Sequence, residues 1–457
     1  MAQVVILGAG LTGLSTAYHL EQQGITDFKI YEKERMVGGL CRSVEHDGFT
    51  FDYTGHLLHS NDNYFSTFLK QVVGLDAFNI IKRRSFIYSK GVYTHFPFQS
   101  NLYGLPHDVI TECIEAFVKR PTKIKKRESF YDWALRMFGA GIVKHFFVPY
   151  QEKIFAYESK KISASWTGRF VPQTDLKTMI TGALQPQGCT DQGYNAQFLY
   201  PKKGGINSWI TKLADKIITP IATQYEVESI DIKNKIITFK NGDFESYDLL
   251  VTTIPLDVFL KLAQESSSQD IKKASKKLLC NAVVNFNLGI QKTDVSDKHW
   301  VYLPEKEFPH YRIGFYHNFS DTMAPPGCSS VYGEYAYLKQ NEQHIKNNVA
   351  DAIRKTKTLL GVSDAQVIAQ RMMFISHAYV IFDFWRERHL PEIHTQLVQQ
   401  NIHSIGRYGA WKYASMQESV LDGKVMAEYI QEHIYGTVQK QESTYHRRSR
   451  IHRVTPG

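Results

Sequence analysis

The chain has 457 residues, of which 43% are hydrophobic, so it is long enough to form two or three separate cores. No apolar run reaches the ~18 residues that a membrane span requires, since the candidate at residues 249–260 is broken by Pro255 and Asp257. The net charge of +9 does not indicate a nucleic-acid partner. The basic runs at residues 119–127 and in the tail lack the interleaved aromatic side chains of single-strand binders.

Cysteine content and the start of the chain favour a cytoplasmic protein. The five cysteines are scattered and contain no CxxC pair, which is typical of a reducing compartment. The first predicted strand begins at the third residue, so we expect no cleaved signal peptide. The tail, residues 436–457, is basic and lacks apolar periodicity, and we expect it to be disordered.

The N-terminal residues predict a strand, a glycine-rich turn, a helix and a second strand. The strands cover residues 3–7 and 28–31, and the helix covers residues 14–23. The turn between the first strand and the helix has the sequence GAGLTG, at residues 8–13, and an acid, Glu32, follows the second strand directly. This order of elements is typical of a chain that binds an adenine dinucleotide.

The three turn glycines and the acid each have a physical task in that fold. Gly8 permits the tight turn, Gly10 lets the backbone approach a pyrophosphate, and Gly13 lets helix and strand pack closely. The helix N-terminus supplies unpaired N–H groups to the phosphates. Glu32 can accept a hydrogen bond from a ribose 2′-OH.

A second glycine pair distinguishes flavin from nicotinamide. Gly38 and Gly39 follow the ribose acid, a pattern that resembles the FAD-binding oxidoreductases with a glutathione-reductase-like fold. In that resemblance the pair lets the chain pass close to the diphosphate, and Arg42 lies near the flavin. We therefore predict tightly held FAD rather than a dissociable NAD.

The rest of the chain alternates between strand and helix patterns. Residues 225–255 predict a β-meander around an Asn-Gly turn and a buried strand closed by Pro255. Residues 101–185 have helical spacing and many aromatics, which favours a helical core. Residues 280–340 return to strands, and residues 416–430 predict a last helix.

We predict an α/β fold in which a Rossmann-like FAD-binding domain is interleaved with a helical subdomain and a strand-rich substrate-binding region. The FAD-binding domain is assigned residues 1–90, 200–275 and 370–435. A helical lid subdomain is assigned residues 91–199, and a mixed substrate-binding sheet residues 276–369. The sequence leaves open whether the protein forms a homo-oligomer.

Several motifs resemble, in the same order, the UDP-galactopyranose mutases of the eukaryotic type. They are SFIY at 85–88, FPFQSN at 96–101, VPY at 148–150, GYNAQF at 193–198, WVYLPE at 300–305, YR at 311–312 and GRYGAWKY at 406–413. The resemblance implies an enzyme that interconverts the pyranose and furanose rings of a nucleotide sugar without net redox change. In that family reduced flavin N5 attacks the anomeric carbon and forms a covalent adduct. The resemblance also implies that the cofactor is FAD, active when reduced, and that NADPH or NADH is the reductant.

The resemblance also assigns site residues. Arg312 and Arg407 correspond to two pyrophosphate-binding arginines, a role that suits a planar, permanently charged guanidinium. His56 lies in a segment like the family's flavin-side loop, and Arg169 fits its Arg-x-x-Pro spacing after a one-residue shift. Residues assigned to the substrate are Phe96, Phe98, Gln99, Gln151, Phe155, Asn195, Trp300, Tyr302, Tyr379 and Tyr413. Further residues assigned to the cofactor are Val227, Gly406, Met416 and Gln417.

The sequence departs from the family at four of these places. Thr54 stands where the family usually has glycine, next to the flavin-side loop. Phe96, Gln151 and Phe155 stand where it has tyrosine, asparagine and tryptophan, and all three are expected to line the nucleotide pocket. Changed hydrogen bonding to the base leaves open a nucleotide other than UDP or a sugar other than galactose.

Two other classes of protein remain open. A flavin oxidase of the amine-oxidase or protoporphyrinogen-oxidase kind would share the FAD fold and bind an apolar or amine substrate. Two inward arginines argue against it, because an unpaired buried charge is costly without an anionic ligand. A non-catalytic binding protein would have lost flavin or diphosphate residues, and none is missing.

Overall fold

The computed structural model describes residues 3–186, 196–263 and 269–436 and divides the chain into two compact units. Unit 1 comprises Met1–Gly39, Ile210–Ser275 and Glu392–Gly457, and unit 2 comprises Leu40–Trp209 and Lys276–Pro391. The expectation of a disordered tail at 436–457 falls, apart from its first residue, outside the described residues, as does Asn195.

The described residues form nineteen named strands. They are β1 Val4–Leu7, β2 Phe28–Tyr31, β3 Ser43–His46, β4 Phe49–Asp52, β5 Phe78–Lys82, β6 Ser85–Ser89, β7 Val92–His95, β8 Gln197–Pro201, β9 Ile221–Ala222, β10 Val227–Asp231, β11 Ile236–Phe239, β12 Phe244–Ser246, β13 Leu249–Thr252, β14 Ala282–Ile290, β15 Trp300–Tyr302, β16 Arg312–Phe315, β17 Ser329–Tyr337, β18 Val367–Ile375 and β19 Ile402–Ser404.

Thirteen α-helices connect them within the described residues. They are α1 Leu11–Gln22, α2 Asn63–Val72, α3 His107–Val118, α4 Phe130–Ile142, α5 Val148–Phe155, α6 Leu176–Leu184, α7 Asn207–Ala214, α8 Leu256–Leu262, α9 Gln269–Lys277, α10 Glu342–Leu360, α11 Phe384–Val398, α12 Gly406–Gly409 and α13 Met416–Ile430. None of these described helices is long and apolar enough to cross a bilayer.

Unit 1 is built on a parallel sheet in the order β19-β13-β1-β2-β9. Its central strands β1 and β13 are near-continuous apolar runs, VVIL and LLVT, and are buried throughout, which is typical of strands covered on both faces. Helices α1 and α13 pack against each other, where a Cβ on Gly423 would lie 2.6 Å from Ser15 Cβ. The antiparallel sheet β10-β11-β12 completes the unit. The α/β, Rossmann-like fold class is confirmed.

Unit 2 contains a seven-stranded mixed sheet in the order β18-β14-β17-β16-β15-β6-β7, in which only β15 and β6 pair in parallel. Its core side chains include Phe286, Leu288, Phe315 and Val331, which pack with α10. Helices α3 to α6 form the helical part of the unit, and the Phe98 and Phe146 rings stack there at 5.1 Å.

The units differ in their bounds from the domains that the sequence predicts. Residues 40–90 lie in unit 2, although the sequence assigned them to the FAD-binding domain. The reason is long-range pairing: β6 pairs with β15, more than two hundred residues later, so the hairpin β6–β7 joins the large sheet. The predicted strand at 28–31 and the predicted helix at 416–430 agree with β2 and α13.

Candidate functional site

Two positions of the glycine-rich turn in unit 1 admit no side chain. Gly8 has φ +98°, and a Cβ there would lie 2.4 Å from Thr253 Oγ1. A Cβ on Gly13 would lie 1.9 Å from the Gly8 carbonyl oxygen. These close approaches explain why the chain carries glycine where β1 turns into α1.

The second glycine pair lies beside the first turn. The Gly38 N–H donates to the Ala9 carbonyl at 2.8 Å, and Gly39, at φ +60°, would place a Cβ 3.3 Å from Gly10 Cα. Gly10 is the N-cap of α1 and no side chain caps this helix end. The first N–H groups of α1 are therefore available to an anionic group.

Glu32 lies at the end of β2 and is 7% exposed. Its Oε2 accepts a hydrogen bond from the Ala9 N–H at 2.8 Å, and its Oε1 accepts from the Glu34 N–H at 3.0 Å. The carboxylate is thus held beside the turn that leads into α1. Glycine turns, an uncapped helix N-terminus and a fixed acid are the set of features that binds FAD, so these residues fit that cofactor.

The other cofactor residues that the sequence assigned in unit 1 lie at element ends. Gly406, at φ +78°, starts α12 and would place a Cβ 2.7 Å from Thr12 Oγ1. Met416 and Gln417 open α13, whose N-cap Ser415 forms a capping box with Glu418. The remaining cofactor residue of this unit, Val227, is a buried residue that opens β10.

Arg407 is the arginine of unit 1 that the sequence assigned to the diphosphate. Its Nη1 donates to the Ala414 carbonyl at 2.8 Å, and its guanidinium carbon lies 4.6 Å from the centre of the Tyr413 ring. The carbonyl and the ring together hold the side chain by a hydrogen bond and a cation–π contact.

Arg312, in unit 2, forms a bidentate ion pair with Glu334. The two residues lie directly opposite each other in β16 and β17. Nε donates to Oε2 at 2.9 Å and Nη2 donates to Oε1 at 2.7 Å, while the Glu334 side chain is wholly buried. Nη1 makes no hydrogen bond to any described residue. The argument that this arginine is an unpaired buried charge is therefore wrong, because the protein supplies its counter-ion.

The ion pair keeps the guanidinium charged. Burial alone would lower the pKa of Arg312, but the Glu334 carboxylate, with Tyr332 and Tyr379, raises it well above its usual value. The positive charge is thus permanent, and the fixed fork of the pair sets the direction of the remaining N–H donors, two of which are on Nη1.

Tyrosine rings surround this ion pair, and we call Tyr150, Tyr302, Tyr311 and Tyr379 the tyrosine cluster. Tyr150 lies edge-on to Tyr302 at 5.2 Å and to Tyr311 at 6.3 Å, and Tyr311 lies 6.4 Å from Tyr379. Burial raises the pKa of Tyr150 and of Tyr311 well above the usual value. Both phenols stay protonated at neutral pH and can donate to an anion without adding charge.

The three residues that the sequence assigned to the base lie beside the tyrosine cluster. Phe96 is 5.2 Å from Tyr302, and Phe155 is 6.0 Å from Tyr379. Gln151 is 7% exposed, and its Oε1 has no hydrogen-bond partner among the described residues. Each of the two phenylalanine rings therefore contacts a member of the tyrosine cluster, and Gln151 contributes a buried amide in the same unit.

Three other predicted site residues of unit 2, Phe98, Gln99 and Trp300, are buried. Phe98 is fully buried, and Gln99 Nε2 donates to the Pro172 carbonyl at 2.6 Å. Trp300 is 2% exposed, and its Nε1 has no hydrogen-bond partner in the described part of the chain. The Arg42 guanidinium lies 5.2 Å from the Tyr53 ring, and Arg169 lies in a short turn at Gly168–Phe170. Their contacts with a ligand stay predictions.

The loop that carries His56 has a strained backbone. Thr54 has φ +69°, a left-handed conformation that a β-branched residue rarely adopts. A Cβ on the next residue, Gly55, would lie 2.3 Å from the Tyr332 hydroxyl. The glycine conformation that the family resemblance implied at position 54 is thus present, although the residue is threonine.

Sequence reasoning missed Glu334, Tyr150 and Tyr311. Glu334 had a signal, since it is an acid inside the strand sequence SSVYGEYAY, where every residue but the last is buried. A charge in such a strand indicates a buried partner. The two tyrosines lie in the motifs VPY and YR that carry the family resemblance, but the resemblance was not used to assign them a role in the site.

Comparison with known proteins identifies a family and a similar solved structure. The sequence matches the flavin containing amine oxidoreductases over residues 11–431. A solved structure of a reduced UDP-galactopyranose mutase is 25% identical, covers 94% of each chain and has a TM-score of 0.86.

The curated relatives carry other activities. Coproporphyrinogen III oxidase of Staphylococcus aureus is 25% identical over 330 residues, which is 65% of this chain and 69% of the relative. A 4,4'-diapophytoene desaturase of the same species is 36% identical over 66 residues, only 14% of this chain and 13% of the desaturase. The sequence relatives therefore include oxidoreductases, while the structure resembles a mutase.

Proposed function

We propose that this chain, which belongs to the family of flavin containing amine oxidoreductases, is an FAD-dependent nucleotide-sugar mutase. Its substrates would be UDP-galactopyranose and UDP-galactofuranose or a related pair. The observation that carries the proposal is the buried Arg312–Glu334 pair, whose Nη1 makes no hydrogen bond to a described residue and which has phenols around it. Similarity to a mutase structure across 94% of both chains supports it.

The cofactor site of the proposal is in unit 1. Gly8, Gly10 and Gly13 would hold the pyrophosphate of FAD, and Glu32 its adenosine ribose. When bound and reduced, FAD would supply the nucleophile for the anomeric carbon. NADPH or NADH is the proposed reductant.

The residues of unit 2 would bind the nucleotide. Arg312 offers a guanidinium that Glu334 already holds in one orientation, so little side-chain entropy is lost when a diphosphate oxygen binds to Nη1. Protonated tyrosines would donate to other oxygens and so stabilise the negative charge that develops when the diphosphate leaves. Gln151 and the rings of Phe96 and Phe155 would receive the base.

Further roles in the proposal come from the family resemblance. Arg407 would bind a diphosphate, with Tyr413 beside it. His56 and Arg169 would take part in catalysis, and Asn195 would contact the sugar. Trp300, Phe98 and Gln99 would support the substrate pocket.

A second candidate function is an oxidase of the coproporphyrinogen type. It is favoured by the 330-residue match to the Staphylococcus aureus enzyme. Because Glu334 neutralises Arg312, the ion pair does not by itself require a nucleotide diphosphate as the ligand.

Binding and oxygen uptake distinguish the two functions. Calorimetry of the FAD-loaded protein should give a Kd for UDP in the micromolar range, about −8 kcal/mol, and no oxygen uptake with coproporphyrinogen III. Oxygen uptake with formation of coproporphyrin, together with no UDP binding, would reject the mutase.

A further inference from the structure

Lys153 links helix α5, which carries Tyr150, to the segment that follows Tyr302. It lies on α5, between Gln151 and Phe155. Its ammonium group reaches away from the helix and donates to the carbonyl of Leu303 at 2.6 Å and to the carbonyl of Glu305. Leu303 directly follows Tyr302, the residue that contacts Phe96.

The segment that Lys153 holds is fixed from its other side as well. The Leu303 N–H donates to the Tyr311 carbonyl at 2.9 Å. The Glu305 carboxylate accepts from the Ser89 hydroxyl at 2.6 Å and from Lys90 Nζ at 3.2 Å. Residues 303–305 are therefore a short rigid bridge between the strand that carries Tyr302 and helix α5.

We infer that Lys153 is a positioning residue for the nucleotide: it holds α5, the helix that carries Gln151, against the segment after Tyr302 and so fixes the position of α5 relative to Tyr302. The inference rests on the proposed function. Lys153 itself needs no contact with the ligand, because it acts through the carbonyls of residues 303 and 305.

The bridge is sensitive to pH near neutrality. Burial lowers the pKa of Lys153 to about 7, while Glu305 and Glu307 raise it and Lys355 lowers it further. His310 also faces Lys153, and burial lowers the pKa of His310 to about 3, so it stays neutral. Below pH 7 Lys153 donates two charge-assisted hydrogen bonds; above it the amine donates weaker, neutral ones.

The other contacts between α5 and the tyrosine cluster do not titrate in this range. The Tyr150 ring meets Tyr302 at 5.2 Å, and the pKa of Tyr150 is well above its usual value. Phe155 meets Tyr379 through ring faces and edges alone. A change in nucleotide affinity across pH 7 therefore reports on Lys153.

The experiment is calorimetric titration of the FAD-loaded full chain with UDP at pH 6.5 and 8.5. The variants are Lys153→Met, which keeps the length and removes the charge, and Lys153→Arg, which keeps the charge. Lys90→Met is the matched control, because it removes a cation that contacts the same segment but leaves in place the hydrogen bonds from the Ser89 hydroxyl and the Lys90 N–H to Glu305 and the link to α5. Titration of the UDP phosphate is common to all four proteins, so it cancels when their affinity ratios are compared.

Between pH 6.5 and 8.5 we expect the Kd of the wild type to rise by a factor about five times larger than that of Lys153→Met. At pH 6.5 the Kd of Lys153→Met should be about tenfold higher than that of the wild type, a loss on the scale of one charge-assisted hydrogen bond. At pH 8.5 Lys153→Arg should keep most of the affinity that the wild type has at pH 6.5, since arginine stays charged. Lys90→Met should match the wild type.

Equal pH ratios for the wild type and Lys153→Met would overturn the inference and leave the proposed function intact. Absence of UDP binding by the wild type at both pH values would instead overturn the proposed function and the inference with it. If Lys153→Met fails to fold, the comparison of wild type with Lys153→Arg decides, and identical pH ratios for these two would contradict the role of Lys153.

Discussion

Arg312 binds both oxygens of the Glu334 carboxylate, at 2.9 and 2.7 Å, across neighbouring strands, and the carboxylate is closed to solvent. The positive charge is therefore built into the fold with its own counter-ion. A ligand anion would add to this pair through Nη1, so two partners share one guanidinium. Substitution of the arginine alone would change folding and binding at the same time.

Paired substitutions separate these two effects. Arg312→Ala should cost about 3–5 kcal/mol of unfolding free energy, because it leaves Glu334 buried and unpaired. The double variant Arg312→Met/Glu334→Gln should recover at least half of that loss while UDP binding still weakens by about 1.5–3 kcal/mol. Denaturant unfolding and calorimetry measure the two quantities.

The chain offers a matched control for that double variant. Arg136 binds Glu128 in the same bidentate way, at 2.7 and 2.8 Å, outside the tyrosine cluster. Arg136→Met/Glu128→Gln should leave UDP affinity unchanged. Equal loss of UDP affinity in both double variants would remove Arg312 from the binding site.

Base selectivity should be weak. In the proposed pocket Phe96 and Phe155 would contact either pyrimidine through their rings, and Gln151 would add one amide. Affinities for UDP and dTDP should lie within about tenfold, since only unpaired polar groups, at roughly 1–3 kcal/mol each, discriminate strongly. Calorimetry with both nucleotides checks this, and a hundredfold preference for UDP, about 2.7 kcal/mol, would contradict it.

The left-handed backbone of Thr54 should be measurable as strain. At φ +69° a residue with a Cβ has a conformational energy about 1–2 kcal/mol above that of glycine. Glycine in turn loses about 0.5–1 kcal/mol more in chain entropy on folding, which offsets part of this advantage. Thr54→Gly should therefore be more stable than Thr54→Ala by about 0.5–1 kcal/mol in denaturant unfolding. A glycine variant that is less stable than the alanine variant would show that the loop relaxes.

Asp52 should make stability depend on pH. Burial raises the pKa of Asp52 to about 6, although hydrogen bonds from Ser43, Tyr200 and Ile206 lower it. Because the folded pKa lies above the usual value, the folded protein holds an extra proton between about pH 4 and 6. This group therefore favours folding at pH 4, by at most about 3 kcal/mol, and the contribution is lost as pH rises through 6.

The difference in unfolding free energy between wild type and Asp52→Asn isolates that contribution from other carboxyl groups. As the pH rises from 4.5 to 7, the unfolding free energy of the wild type should fall relative to that of Asp52→Asn. The same difference at both pH values would mean that Asp52 has an ordinary pKa.

The features that sequence predicted well are set by local backbone geometry. Gly8, Gly13 and Glu32 occupy contiguous elements, and each task follows from a turn, a close approach or a strand end. The residues that would form the base pocket were found through family resemblance, and Phe96 and Phe155 do contact the tyrosine cluster. Their contact with a base stays a prediction.

The features that sequence missed depend on register and long-range packing. The Arg312–Glu334 pair needs the alignment of β16 with β17, and the Lys153 bridge joins residues 150 positions apart. The predicted end of the first FAD segment at residue 90 differs from the unit boundary for the same reason, because β6 pairs with β15.

The central claim is tested most directly by turnover of UDP-galactofuranose under anaerobic conditions, with the protein first oxidised and then reduced by dithionite or NADPH. The account predicts UDP-galactopyranose as product only after reduction, with no net consumption of reductant per turnover, since the rings interconvert without redox change. Equal turnover with oxidised FAD, or no product from the reduced protein, would contradict it.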